Sequence, residues 1–348
     1  NMNRFHWHLT EDQGWRLEIK KYPLLTAIGS KRAETVIGHN TQIGDGTPYE
    51  GYYTQDEARD IVEYARQRHI VVVPEIDMPG HQLAALAAMP NLGCTGGPYK
   101  VGTVWGVYDD ILCLGNEDTY KFCEDVLSEL IDIFPSEVIH IGGDEAPTVR
   151  VEHCPKCQAL MQREHLTPKN IQGYFTNRIE KFVNSKGRRI MGWDEIMDGD
   201  INTSAMVHCW RNPSFGIKAA QKGHDVVLSP TKYCYFDFYQ ANPRTVHEPL
   251  AIGGYLPVDS VYNMDTMPKD ISPENRKHII GIQANLWTEY VAVPNHAEYM
   301  LLPRMAALAE NAWVKDRGPY SAFLPRLTRL KSLYDVYNLH YANHVWKK

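Results

Sequence analysis

Short apolar runs alternate with amphipathic stretches along most of the chain. Residues 4–10, 70–77, 138–144, 189–195, 205–210, 225–229 and 281–287 each read as a strand. The segments between them carry helical signals. Thr54 and Glu57 form a capping box for a helix through Arg68. Cys123, Val126, Leu127, Leu130, Ile131 and Phe134 recur at helical spacing and stop at Pro135. Thr167-Pro168 predicts an N-cap with proline at the first helical position. Ile171, Tyr174, Phe175, Phe182 and Val183 then share one face, and Gly187 ends the helix. A further helical segment is expected within 319–348.

Strands that alternate with helices imply a parallel sheet, and runs apolar on both faces imply a sheet covered on both sides. The expected class is therefore α/β, as a TIM-type (β/α)8 barrel forming a single domain over 1–348. Seven strand–helix units are visible, so the first strand is expected to precede Asn1. The alternative is an open doubly wound sheet, but no Gly-rich dinucleotide loop follows any strand. Polar and Trp residues gather where the runs end: His8 and Asp12, Asp77 and His81, Asp144 and Glu145, Trp193 and Asp194, Trp210, Trp287 and Glu289. Barrel enzymes build their sites at that end of the strands. Long segments near 31–53, 89–112 and 237–278 are candidates for site-shaping loops.

Composition narrows the function classes. The 348 residues are 43% hydrophobic and 22% charged, with net charge −6, as in a globular protein. A mildly acidic chain without a basic run is a poor fit to a nucleic-acid partner. No apolar stretch is long enough for a membrane span. No signal peptide is visible, and the chain reads as part of a longer protein. Eight Trp and 20 Tyr suit both a core and a sugar-stacking surface. Seven scattered Cys do not resemble a dense disulfide framework.

The strongest chemical signal is His140-Ile141-Gly142-Gly143-Asp144-Glu145. Two glycines at a strand end allow a sharp bend or a close approach by a ligand. Two neighbouring carboxylates follow. Like charges held together raise the pKa of one of them, which suits an acid catalyst near neutral pH. A solvated Asp-Glu pair opening a helix is the plainer alternative; the glycines and His140 favour chemistry. Four more motifs accompany it: residues 5–16 from Phe5-His6-Trp7-His8, Pro74-Glu75-Ile76-Asp77-Met78-Pro79-Gly80-His81, Met191-Gly192-Trp193-Asp194-Glu195 and Asn285-Leu286-Trp287-Thr288-Glu289.

In this order and spacing the five motifs resemble the catalytic domain of glycoside hydrolase family twenty, the β-N-acetylhexosaminidases. The resemblance runs from Phe5 to about Trp313 and takes in the segment 302–313 from Leu302-Pro303-Arg304. It implies an exo-hydrolase that removes terminal β-linked N-acetylhexosamine by retaining, substrate-assisted catalysis. In that class the substrate's 2-acetamido oxygen attacks the anomeric carbon and forms an oxazolinium, so no second carboxylate serves as nucleophile. By resemblance Asp144 orients the acetamido N–H, Glu145 is the general acid and base, and Tyr235 holds the acetamido oxygen. Trp193, Trp210 and Trp287 match residues that wall the acetamido pocket. Asp237 and Glu289 match acceptors for sugar hydroxyls, and Asp12 and His81 line the same pocket. For each Trp the plainer reading is barrel core. Asp77 and His140 are expected to pair behind Glu145; a satisfied buried histidine predicts nearly the same geometry. The family's arginine, at the end of the strand before His6-Trp7-His8, has no counterpart here.

Rival readings remain. His6 and His8 lie on one face of a strand and could form a metal pair, as in amidohydrolases on the same barrel. Cys154-Pro155-Lys156-Cys157 resembles half a zinc site, but no second close Cys pair exists. A local disulfide, a metal contact or two free thiols are the options there; a structural role in the loop after Glu145 is expected, and the site itself is expected to hold no metal and no cofactor. The same pocket could also serve a disaccharide-releasing lacto-N-biosidase or a non-catalytic sugar binder. The glycan substrate class implies a secreted or periplasmic protein.

Overall fold

The computed structural model describes residues 2–347. Residues 2–37 and 41–207 form one compact unit, and residues 38–40 and 208–347 form another.

The first unit carries β1 (Arg4–His8), α1 (Gln55–Arg66), β2 (Val71–Glu75), α2 (Glu117–Ile133), β3 (Val138–His140), α3 (Pro155–Glu164), α4 (Ile171–Ser185) and β4 (Arg189–Trp193). The strands pair in parallel in chain order: β1 on β2, β2 on β3 and β3 on β4. Parallel neighbours need long crossovers, and the helices supply them. Each helix buries one stripe. α2 buries Tyr120, Phe122, Cys123, Val126, Leu127, Leu130 and Ile133, each worth roughly 1.5–3 kcal/mol for a large apolar side chain. α1 begins as expected: the Thr54 hydroxyl accepts from Glu57 N–H, and the Glu57 carboxylate accepts from Thr54 N–H.

β5 (Met206–Cys209) carries the chain from the first unit to the second. The second unit contains α5 (Pro213–Gln221), β6 (Val226–Leu228), β7 (Ile279–Ile282), α6 (Arg304–Trp313) and α7 (Tyr320–Val336). β6 pairs with β7 in parallel. The chain is thus α/β, and all seven expected strands form, each shorter than its apolar run. Among the described residues no helix is long and apolar enough to cross a membrane.

Two local expectations are corrected. The helix expected to open at Pro168 starts at Ile171. Thr167 donates its N–H and hydroxyl to the Asn170 side chain, at 2.6 and 3.1 Å, which closes a turn and delays the helix. The last strand is Ile279–Ile282 rather than 281–287. Beyond it, Asn285 turns its backbone to the 234–236 segment: Asn285 N–H donates to Cys234 O at 2.8 Å, and Phe236 N–H donates to Asn285 O at 2.7 Å.

Candidate active site

Strand register assembles the first part of the site. His8 lies opposite Glu75 across β1 and β2, and Glu75 lies opposite His140 across β2 and β3. Glu75 is fully buried. His6 Nε2 lies 2.6 Å from its Oε2, His8 Nδ1 lies 3.1 Å from Oε2, and His140 Nδ1 lies 3.2 Å from Oε1. Trp193 Nε1–H donates to Glu75 Oε1 at 3.0 Å, with its ring edge-on to His140. Burial pushes the Glu75 carboxyl up, but His140, His8 and His6 together hold it well below its ordinary range. Burial outweighs Glu75 at His140 and lowers its pKa to about 4, so that imidazole is neutral near pH 7. His8 goes the other way: burial lowers it, yet Glu75 and Glu11 raise it well above its ordinary value. The His6–His8 pair therefore meets a buried carboxylate.

The second part lies beyond β3. Gly142 and Gly143 take φ of +66° and +98°, and Glu145 itself has φ of +46°. A side chain at Gly142 would overlap the Asp77 carboxyl. Gly143 N–H donates to Asp77 Oδ1 at 2.9 Å, and Gln172 from α4 donates to Gly143 O at 2.6 Å. This bend presents Asp144 and Glu145 to His81. His81 Nε2 lies 3.5 Å from Glu145 Oε2 and 3.8 Å from Asp144 Oδ2. Its other nitrogen lies 2.7 Å from Glu11 Oε1 and 3.5 Å from Asp12 Oδ2. Burial alone would lower the His81 pKa, but Glu11, Asp12 and Glu145 raise it well above the usual value. Burial and the nearby Glu75 push Asp144 up to about 6, although His81 pulls it back. Burial and the Asp144 charge raise the Asp77 pKa well above its ordinary value.

Several sequence expectations change position. The structure gives His140 Glu75 as its carboxylate, while Asp77 is taken up by Gly143 N–H and stands beside Asp144. The parallel register decides this, because it aligns His140 with Glu75. Asp12, expected on the pocket wall, is 1% exposed and backs His81, with Oδ1 accepting from Leu83 N–H at 2.9 Å. Trp193 is 1% exposed and lies on the histidine cluster. Glu145 is the exposed member of the carboxylate pair. It borders a cleft of about 420 Å³ lined also by Ile111, Leu114, Val151 and Gln172.

The second unit holds the other predicted residues. Tyr235 and Trp210 stack with centroids 6.2 Å apart. Asp237 is 3% exposed, and neither of its carboxylate oxygens has a hydrogen-bond partner among the described residues. Burial and the charge of Glu289 push Asp237 up to about 7. Trp287 is half-buried. Arg304, fully buried on α6, fixes this loop by donating to the carbonyls of Phe236, Phe238, Leu256 and Met300. Burial lowers its pKa to about 9. Glu75, Glu11 and Arg304 join the predicted site residues, and each lies inside one of the sequence motifs. For Glu75 and Arg304 the available signal is a charged residue inside an apolar run; Glu11, in the polar stretch 10–13, carries no such signal.

One expectation concerned sulfur. Cys154 and Cys157 were expected to lack a second pair, but Cys94 and Cys113 meet them, with all four sulfurs within 4.8 Å of one another. The partners are far apart in sequence, so spacing did not reveal them.

Known proteins resemble this chain over most of its length. The profile of glycosyl hydrolase family 20, catalytic domain, matches residues 1–316. A beta-hexosaminidase of Porphyromonas gingivalis is 43% identical over 343 residues, covering 98% of this chain and 43% of that protein. A beta-hexosaminidase of Vibrio furnissii is 37% identical over 314 residues, covering 88% of this chain and 51% of that protein. The crystal structure of a GH20 exo beta-N-acetylglucosaminidase from Vibrio harveyi, in complex with N-acetylglucosamine, superposes with a TM-score of 0.85 at 34% identity, covering 99% of this chain and 55% of that one. The chain spans about half the length of the curated relatives it matches. Its structural neighbours are barrel enzymes, in keeping with the TIM-type class expected from the strand–helix alternation. The chain belongs to glycosyl hydrolase family 20, as its catalytic domain.

Proposed function

We propose that the protein is an exo-acting β-N-acetylhexosaminidase that releases terminal N-acetylhexosamine with retention of configuration. The observation that carries the reading is His81 facing both Glu145 and Asp144 from one nitrogen, with Glu11 and Asp12 behind the other. Glu145 donates its proton to the leaving glycosidic oxygen as the acetamido oxygen attacks the anomeric carbon. The glycosidic bond breaks and the oxazolinium forms. Glu145 then takes a proton from water, which attacks the anomeric carbon and opens the ring. Asp144 accepts from the acetamido N–H and stabilises the positive charge that develops there. Such preorganised charge is commonly the largest catalytic term. His81, cationic between four carboxylates, is a positioning residue for Glu145.

By the family's pattern Tyr235 donates to the acetamido oxygen, Trp210 and Trp287 wall the acetamido group, and Asp237 and Glu289 accept from ring hydroxyls. Holding an internal nucleophile in line is worth several kcal/mol. The relatives' names, and the N-acetylglucosamine in the Vibrio harveyi complex, point to the same sugar class. A glycan substrate suits a secreted or periplasmic setting. Hydrolysis of p-nitrophenyl β-GlcNAc beside p-nitrophenyl β-glucoside tests the reading. Cleavage of the first alone supports it, and equal cleavage of both overturns it.

A further inference from the structure

A cluster of cysteines outside the carboxylate site has the makings of a metal centre. Cys94 follows the short helical turn Pro90–Leu92. Cys113 is tied to that turn by its N–H on Leu92 O, at 2.8 Å, and by a bridge between Gly93 and Leu112. Cys154 precedes α3 and Cys157 lies in its first turn. Three of the four thiols are buried. The sulfur separations are 3.8 Å for Cys94–Cys157, 3.6 Å for Cys113–Cys154 and 3.7 Å for Cys113–Cys157.

Metal–sulfur bonds of about 2.3 Å in a tetrahedron place sulfurs about 3.8 Å apart. A disulfide requires about 2.05 Å. Thiols in simple van der Waals contact give similar separations, so further features must carry the distinction. One is the ligand pattern. Cys154-Pro155-Lys156-Cys157 opens a helix with two ligands, and one turn–loop element supplies the other two, which completes four-sulfur coordination. The other is close packing where the two segments meet. A side chain at Gly115 would overlap the backbone of Lys156 and Cys157. The N-terminus of the ten-residue α3 also favours negative charge there.

We propose that Cys94, Cys113, Cys154 and Cys157 bind one zinc ion that fastens the loop after β2 to the start of α3. Four S–H bonds ionise, their protons leave to solvent, and the centre carries a net charge of −2 that the α3 terminus offsets in part. All four positions are taken by protein, so the ion is structural rather than catalytic. Its effect on the reaction is positional. Ile111, Leu114 and Val151 adjoin these cysteines in sequence and line the cleft beside Glu145.

Metal analysis of the purified whole protein is expected to find about one zinc per chain, as one closed four-cysteine site holds one ion. Cobalt(II) added after zinc removal is expected to give the intense visible bands of tetrahedral thiolate coordination. Cys113→Ser and Cys157→Ser are each expected to lose the zinc and to melt at lower temperature. A mercurial thiol reagent is expected to release zinc in step with thiol modification. If the serine variants do not fold, the cobalt spectrum of the parent protein still decides. A folded parent protein that carries no zinc and gives no thiolate bands with cobalt(II) overturns the proposal. So does a mass spectrum with two native disulfides among these cysteines.

Discussion

Two buried carboxylates, one in each unit, are treated in opposite ways. Glu75 is surrounded by three imidazoles and an indole N–H, and it is held as an anion well below its ordinary pKa. Asp237 is equally buried, has no hydrogen-bond partner among the described residues and is pushed up to about 7. A buried carboxylate without donors is costly unless something else supplies them. Glu75 is therefore scaffold: its charge is consumed in holding His6, His8, His140 and Trp193. Both Asp237 oxygens are left without a protein donor among the described residues, which suits the proposed recognition of sugar hydroxyls. Burial alone did not separate these roles; the count of protein donors did.

The largest effect is expected at neither residue but at Glu145, the proposed general acid. Glu145→Gln is expected to lower kcat by ~10²–10⁴-fold, the usual range for general acid–base catalysis, with ligand affinity retained. Steady-state kinetics beside product binding checks this. Glu75→Gln sharpens the scaffold side. Removing one partner of a buried ionic cluster costs about 3–5 kcal/mol, so denaturant unfolding is expected to show a loss of that size. A loss below about 1 kcal/mol, the range of an exposed pair, would contradict the scaffold role.

Asp144 connects the cluster to pH. Its pKa is raised to about 6, so its folded form binds a proton more tightly than the unfolded chain does. That contribution favours the folded state at low pH and is lost as pH rises toward 6. In the proposed mechanism activity follows the opposite sign, because the ionised carboxylate would stabilise developing positive charge. kcat is expected to fall as pH drops below about 6. Asp144→Asn is expected to remove that limb while cutting the rate ~10²-fold or more. A pH–rate profile of both proteins on one acetamido substrate gives the answer. The smallest effect is expected at Asp237. Asp237→Asn is expected to raise KM by ~10-fold, as for loss of a hydrogen bond to a charged group. It is also expected to unfold no more easily than the parent at pH 8, because the raised pKa makes the ionised carboxylate a burden there. Thermal melts at pH 5 and pH 8 would reveal the sign.

The strands and their order were legible because apolar runs and helical stripes alternate without interruption. Asp144 and Glu145 were legible because two glycines precede them at a strand end. What escaped depended on alignment between distant segments. His140 faces Glu75 because β2 and β3 are in parallel register, and no local pattern states that register. Asp12 backs His81 because the chain after β1 meets residues 81–83 in space. Cys94 and Cys113 join Cys154 and Cys157 through a turn contact that sequence spacing hides. The start of α4 was missed for a local reason: Asn170 captures Thr167 and closes a turn first.

Nucleophilic participation by the substrate's own acetamido group is the central claim. Successive fluorination of the N-acetyl group of p-nitrophenyl β-GlcNAc weakens that nucleophile while hardly changing its size. The account predicts a steep fall in kcat/KM from acetyl to trifluoroacetyl, and rates that stay flat across the series would contradict it.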